Sequence, residues 1–411
     1  MNPLYNFGIW AYKTAVRIAS VRNRKARAML NGQQETLDIL SKLPAASERI
    51  WVHAASLGEF EQGRPLIELI KRDRPQAQVI LSFFSPSGYE VRKNYPLADA
   101  VVYLPFDLPR NVTRFLDAAK PTMAIFIKYE FWGNYLSELK RRGIATYIIS
   151  AIFRDSQMFF KSWGGEFRKM LTCFNTIFVQ DENSRELLHG IGVDNVMVTG
   201  DTRFDRVAAV RDNARSIEVV EQMLDGGPLT IVAGSSWEPD EDLLIPYFNT
   251  HPNVTLIIAP HEFDRERLGQ MLSRIKRPAG LYSMTSVADA AHLDCLIIDT
   301  FGLLSSLYRY GDIAYVGGGF GTGIHNINEA AVYGIPVVFG PRYQKFREAV
   351  DLVEAGGAIT VSDQASFNAA LDTLTTDAAA RRERGTIARD YIQSHLGATQ
   401  AVYSHIFPAE E

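Results

Sequence analysis

The chain has 411 residues, 46% of them hydrophobic and 22% charged, which gives about two globular domains and excludes a disordered or fibrous chain. Its 43 basic and 47 acidic residues leave a net charge of -4, which argues against a general nucleic-acid coat, and no nucleic-acid partner is expected. Cys173 and Cys295 form no CxxC and cannot build a disulfide or metal framework, so a reducing compartment is expected.

The first 30 residues read as a basic amphipathic helix. Leu4, Phe7, Trp10, Ala11, Ile18 and Val21 gather on one face, with Lys13, Arg17 and Arg24 along its flank, and Arg22, Lys25 and Arg27 follow. Aromatic residues beside cations suit a helix lying among anionic headgroups. The same pattern also fits a helix packed on its own domain. No run of about 18 apolar residues suggests a spanning helix, and no signal-peptide cleavage site is visible.

Short apolar runs alternating with helical patterns then predict α/β layers with parallel sheets. Strands are expected at 50–54, 79–82, 101–104, 124–127, 147–150, 177–179 and 196–199. A second series is expected at 230–233, 255–259, 296–298, 313–316, 336–339 and 358–361. Most runs are apolar throughout, as for strands covered by helices on both faces. The predicted organisation is a lobe over 31–210, a polar linker over 211–228 ending in Asp-Gly-Gly-Pro, and a second lobe over 229–411 whose last helix packs back on the first. Ligands are then expected in a cleft outside the carboxyl ends of the strands.

Several strand ends carry chemistry. After the first strand, Ser56-Leu57-Gly58-Glu59 turns into a helix, where Glu59 could take a proton from an acceptor hydroxyl. A first-turn glutamate favoured by the helix dipole explains it equally well. Glu130 follows the strand at 124–127 and could face the same cleft, or pair with Lys128. Arg203 could offset charge on a phosphate leaving group, or pair with Asp201 or Asp205.

In the second half, Ser235 and Ser236 end a strand before a helix start whose backbone amides could meet a phosphate. The acids Asp240, Glu241 and Asp242 spell a D-x-D pattern, but acids after Pro239 are explained by the dipole, and no metal is expected. Between Gly317 and Gly323, five glycines occupy seven positions. They free the backbone for close approach to a ligand, and a helix beginning near His325 would aim its amino end at a phosphate. Asn326 and Glu329 would share a helix face, and Glu329 could accept ribose hydroxyls.

Together the stretches His53–Glu59, Leu104–Asp107, Glu130–Asn134, Gly200–Asp205 and Gly317–Pro341 closely resemble the 3-deoxy-D-manno-octulosonic acid (Kdo) transferases of lipid A assembly. The resemblance implies the GT-B glycosyltransferase fold, two Rossmann-like doubly wound lobes facing an interdomain cleft. It implies inverting transfer of Kdo from CMP-Kdo to a lipid A precursor (lipid IVA) in lipopolysaccharide core biosynthesis, without metal or cofactor. It places the enzyme on the cytoplasmic face of the inner membrane of a Gram-negative bacterium. Glu59 matches the family's general base. Glu130 and Arg203 match positions that stabilise the transition state, Arg203 replacing the more usual lysine. Pro260, His261, Phe301, Gly302, Leu303, His325, Asn326, Ile327, Asn328 and Glu329 match CMP-contacting segments, and Ser235, Ser236 and Gly319 complete the expected CMP site. Pro260-His261-Glu262 stands where the family often has Pro-Arg-His, and Gly302-Leu303 where it often has Gly-Glu. Lys161, Arg168 and Lys169 could meet lipid phosphates or form an ordinary solvated face. A GT-B enzyme with another nucleotide-sugar donor is the alternative, and a non-catalytic nucleotide sensor is the reading from another class.

Overall fold

A computed structural model describes residues 3–408. Residues 1–2 of the expected first helix and 409–411 of the expected second lobe lie outside the described residues. Contacts divide the chain into two units, one reaching Arg206 and resuming at Leu396, the other running from Val207 to His395.

The first unit holds a seven-stranded parallel sheet of β1 (Arg49–Ala54), β2 (Gln78–Phe83), β3 (Ala100–Tyr103), β4 (Met123–Ile127), β5 (Ala145–Ala151), β6 (Thr176–Val179) and β7 (Val196–Val198), in the order β3-β2-β1-β4-β5-β6-β7. Every residue of β1 and β2 is buried, as the uninterrupted apolar runs require. Alternate side chains feed two cores. Trp51, Phe126, Ile148 and Ile177 lie in one, and Ile50, Val52, Ile125 and Phe178 in the other. Each fully buried aliphatic or aromatic side chain contributes about 1.5–3 kcal/mol.

The expected N-terminal helix is two helices, α1 (Pro3–Ala19) and α2 (Arg24–Ser41). Asn23 breaks them apart, because its side chain accepts the backbone N–H groups of Lys25 and Ala26 as the N-cap of α2. Tyr5 anchors α1, donating to Asp107 Oδ2 (2.6 Å) and accepting from Gly133 N (3.0 Å). Asn6 Oδ1 accepts from Asn134 Nδ2 (2.8 Å). Burial pushes the Asp107 carboxyl up to about 6. The helix thus packs on its own unit, while Leu4, Phe7, Trp10 and Ile18 remain exposed. The terminal helix Ala398–Ile406 sends Val402 and Ile406 into the core beside β1 and β2.

The second unit holds another seven-stranded parallel sheet, of β8 (Leu229–Ser236), β9 (Val254–Pro260), β10 (Ala279–Leu281), β11 (Cys295–Ile297), β12 (Ile313–Val316), β13 (Val337–Phe339) and β14 (Ala358–Thr360), ordered β10-β11-β9-β8-β12-β13-β14. Thirteen of the strands, all but β10, coincide with predicted runs. Strand β10 was not predicted, because an Ala-Gly-Leu edge strand of three residues carries no β-branched or alternating signal. The expected linker also contains a six-residue helix, Glu218–Met223, whose Val220 and Met223 are buried. Its apolar residues Val219, Val220 and Met223 occupy less than two turns of a charged stretch, too short a run for a periodic pattern.

Candidate active site

In a doubly wound sheet, ligands bind beyond the strand carboxyl ends where strand order reverses. In the first sheet this switch point lies between β1 and β4, and in the second between β8 and β12. The predicted residues Glu59 and Glu130 follow the first pair, and Ser235, Ser236 and Gly319 end or follow the second. Three of the four non-glycine residues with positive φ among the described residues, Lys128, Ser150 and Ser235, also sit at strand carboxyl ends. Strained backbone of this kind persists where surrounding structure holds it in place.

At the first switch point, His53 on β1 is fully buried. Trp51 Nε1 donates to Ser82 Oγ (2.7 Å), which lies 2.8 Å from His53 Nδ1. His53 Nε2 is 2.9 Å from Glu130 Oε2, and Trp132 Nε1 donates to the same oxygen (2.6 Å). His53 Nδ1 also lies 3.1 Å from the Ser82 carbonyl oxygen, and at the other side of the ring Nε2–H donates to the buried Glu130 carboxylate. The partner of Glu130 is therefore His53 with Trp132, while Lys128 Nζ lies over the Tyr129 ring.

Glu59 occupies the first turn of α3 (Leu57–Asp73), whose N-cap is Ser56. Its Oε2 accepts the Ser56 N–H (3.1 Å), half of a capping box. The dipole explanation for Glu59 therefore describes a real contact, yet the carboxyl carries more than that. Burial first, and then the Glu130 charge, push its pKa up, against the opposing pull of backbone N–H groups and His53. The fold thus holds two carboxyls and one imidazole in mutual electrostatic reach. Arg203 Nε donates to Asp201 Oδ2 (2.8 Å), and Asp201 Oδ1 accepts from Gln62 Nε2 on α3 (3.0 Å). The Arg203–Asp201 pair is formed. Asp205 instead accepts the N–H groups of Gly397 (2.7 Å) and Thr399 (2.6 Å). Arg203 also reaches Tyr129 electrostatically, next to Glu130.

Beside Glu130 opens a cavity of about 710 Å³, lined by Tyr5 and Ile9 of α1 and by Phe131, Met158, Trp163 and others. This lies within the usual range for a small-molecule site. Lys161 also lines it. Arg168 is spent on the carbonyls of Phe159 and Lys161, and Lys169 pairs with Glu166.

The second switch point is built differently. Gly317 and Gly319 are required by close approach. A Cβ on Gly317 would lie 2.3 Å from Ser235 O, and one on Gly319 would lie 2.6 Å from Gly340 Cα. Asp240 secures the turn, with Oδ2 accepting from Gly318 N and Trp237 N (both 2.9 Å) and Oδ1 accepting from Tyr315 (2.7 Å). Glu241 accepts from the buried Ser236 Oγ (2.9 Å) and pairs with Arg267 (2.8 Å), and Asp242 pairs with Arg274. The D-x-D acids thus have three separate sets of partners, and no group of three potential metal ligands occurs among the described residues.

Pro260 ends β9, and His261 N donates to Ser236 O (2.9 Å). The His261 ring stacks on His325 (4.4 Å between centroids) and packs on Trp237 (4.6 Å). Burial, then His261, push the His325 pKa down. The neutral ring accepts at Nε2 from Trp237 Nε1 (3.2 Å). Phe301 is exposed and stacks on Phe263, Gly302 has φ of 87°, and Leu303 precedes the short helix Leu304–Leu307.

The helix expected near His325 begins only at Asn328 and lasts four residues. Residues 324–327 form a loop, because the stack and the Ile324 N–H bond to Arg342 O hold them out of helical geometry. Ile327 is buried beneath that loop. Asn326 and Glu329 still meet. Asn326 Nδ2 donates to Glu329 Oε1 (3.1 Å), while Ser305 Oγ donates to Oε2. Asn328 is fully buried, and neither its Nδ2 nor its Oδ1 has a partner among the described residues. Such an orphaned amide costs about 1–3 kcal/mol.

Residues 22–206 match the family model described as 3-deoxy-D-manno-octulosonic-acid transferase (kdotransferase). The chain is also 27% identical to the 3-deoxy-D-manno-octulosonic acid transferase of Aquifex aeolicus, over 75% of this chain and 80% of that one. It is 27% identical to the enzyme of that name from Bordetella pertussis over 85% of each chain. The chain is thus similar to the Kdo transferases over most of its length. These relatives carry the name of the family that the motifs resemble. UDP-GlcNAc 2-epimerase of Neisseria meningitidis, bound to UDP-GlcNAc, matches with a TM-score of 0.61 at 15% identity, covering 87% of this chain and 99% of that one. MurG of Acinetobacter baumannii matches at 0.54 and 15% identity, with the same coverage. These likenesses show the fold, GT-B.

Sequence reasoning missed His53 as the partner of Glu130, and Trp132 beside it. The available signal was an imidazole within the otherwise apolar run 50–54. Asp240, read as a dipole-favoured acid, proves to be the clasp of the glycine turn.

Proposed function

We propose that this chain is a Kdo transferase, moving Kdo from CMP-Kdo to a hydroxyl of a lipid A precursor, lipid IVA, with inversion and without a metal ion. The observation that carries this reading is the Glu59 carboxyl, half-buried beside Glu130 and His53 with its pKa raised toward the range useful to a general base. Glu59 takes the acceptor proton as the hydroxyl oxygen bonds to the anomeric carbon. The bond from that carbon to the phosphate oxygen breaks, and its electron pair leaves with CMP. A single displacement inverts the centre. Glu130, oriented by His53 and Trp132, and Arg203, oriented by Asp201, stabilise the charge that develops.

The donor's CMP is assigned to Ser235, Ser236, Pro260, His261, Phe301–Leu303, Gly319 and His325–Glu329. The Asn328 amide would gain its missing partners from the nucleotide, and Glu329 with Asn326 would take the ribose hydroxyls. The cavity beside Glu130 offers an apolar wall to a lipid acceptor. The exposed apolar face of α1 supports attachment to the inner face of the membrane. Among the described residues no helix is long and apolar enough to cross a membrane.

The test is CMP release from CMP-Kdo with tetraacyl lipid A precursor in detergent, with EDTA present. Turnover supports the assignment. If other nucleotide sugars turn over and CMP-Kdo does not, the donor assignment falls and a different GT-B transferase takes its place. His261, exposed where the family often carries an arginine, is the feature that favours that second reading.

A further inference from the structure

A second cavity, of about 410 Å³, lies between α1, α2 and the helix Pro109–Ala119. Lys13 and Arg17 of α1 and Arg114 of the helix Pro109–Ala119 line it with the amides of Gln33 and Asn111, and no acid contributes to its wall. No hydrogen bond or ion pair engages these three cationic side chains among the described residues. Asn111 Nδ2 is bonded to Phe106 O, but Gln33 Nε2 is buried without an acceptor. Three like charges around one hollow repel each other, and a buried donor without an acceptor is costly. An anion with several acceptor oxygens would relieve both.

The position says which anion. Tyr5, Ile9, Lys13 and Arg17 recur every four residues and so share one face of α1. Tyr5 and Ile9 line the cavity at Glu130, and Lys13 and Arg17 line the cationic one. The whole row spans about 18 Å. Around the rest of the helix Leu4, Phe7, Trp10 and Ile18 are 76, 62, 54 and 71% exposed. A helix with such a face lies in a headgroup layer, where phosphate esters are the abundant anions.

We propose that this cavity binds the phosphate group of a membrane lipid, with Lys13, Arg17 and Arg114 as charged partners and Gln33 Nε2 as a neutral donor. The inference rests on the lipid-facing reading above and adds to it a discrete phosphate site. The phosphate comes either from bulk phospholipid or from the acceptor itself.

The test is sedimentation of the full chain with vesicles of phosphatidylcholine, with or without phosphatidic acid, which needs no turnover and so stands apart from the donor assignment. Wild type should bind the phosphatidic acid vesicles more tightly. Arg114→Gln should weaken that binding roughly fivefold, and Gln33→Leu, which changes no charge, by a similar factor. Arg110→Gln, an equal charge change on the same helix outside the cavity, should leave it within about twofold. Unchanged melting temperatures check folding, and Lys13→Gln replaces any variant that misfolds. Equal losses in Arg114→Gln and Arg110→Gln, with none in Gln33→Leu, would overturn the site in favour of diffuse surface charge. A raised KM for the lipid acceptor at unchanged kcat in Arg114→Gln assigns the phosphate to the acceptor, and an unchanged KM assigns it to phospholipid.

Discussion

The two switch points occupy equivalent places in two seven-stranded parallel sheets and are furnished with opposite chemistry. The first gathers ionisable groups. Glu59, Glu130 and His53 lie within electrostatic reach, and Arg203 is tied to Asp201 nearby. The second is made of glycine backbone, imidazoles and amides, and its acids are already bonded within the lobe, Asp240 to backbone and Tyr315, Glu241 to Arg267, and Glu329 to Asn326 and Ser305. Each arrangement suits one half of a transfer reaction. A group that must accept a proton needs a perturbed pKa, whereas a site for a phosphorylated nucleotide needs free amides and no uncompensated carboxylate.

The sharpest way to break that contrast is Glu59→Gln. Transfer should fall on the order of 10²-fold or more if Glu59 is the base. Stability should move the other way. A carboxyl whose folded pKa is raised stabilises the fold below its ordinary value of 4.5 and loses that contribution as pH rises through the folded value. At neutral pH the glutamine variant should therefore melt higher than wild type, and the gap should shrink on acidification. A variant that is active, or that melts lower at pH 7, would leave Glu59 as a helix cap and no more.

His53→Leu comes next. It leaves the buried Glu130 carboxylate with Trp132 but without its imidazole donor. The expected cost is about 1–3 kcal/mol of stability, with kcat roughly tenfold lower at constant KM, since the charge is misplaced but the donor site is untouched. A rise in KM without loss of kcat would assign His53 to binding.

Asn328→Leu probes the opposite lobe and should separate affinity from stability in the reverse sense. Removing an orphaned buried amide should leave the melting temperature unchanged or raise it, while CMP affinity, read by calorimetry, drops by about fivefold. A melting temperature that falls with no change in CMP affinity would mean that Asn328 serves packing alone.

Much of this contrast was legible in the chain. Uninterrupted apolar runs gave thirteen strands, since a strand covered on both faces has no polar positions to disguise it. The glycine cluster after Val316 announced close backbone approach, and Gly317 and Gly319 require it. What escaped depends on contacts distant in sequence. The pairing of His53 with Glu130 spans 77 positions, and the clasp of Asp240 on Gly318 spans 78. The helix start near His325 was misjudged because ring stacking on His261 outweighs local propensity. The break at Asn23, by contrast, is a cap that its own side chain advertises.

The smallest effect sharpens the comparison most finely, because it asks whether the second switch point depends on staying uncharged. His325 is held below the ordinary histidine value of 6.5 by burial and by His261, and as a neutral ring it accepts from Trp237. Its unfolded form takes up a proton more readily than its folded form, so stability is full above 6.5 and declines as pH falls through the folded value. Protonation would also set N–H against N–H at the Trp237 contact and add repulsion toward His261. His325→Phe keeps a stacking ring but removes the titration. Melting curves of wild type and variant between about pH 7.5 and 5.5 should therefore converge toward low pH, by a few degrees or less given how much of the ring meets solvent. Curves that stay parallel would place the proton on another group and leave the neutrality of this lobe without a titrating sensor.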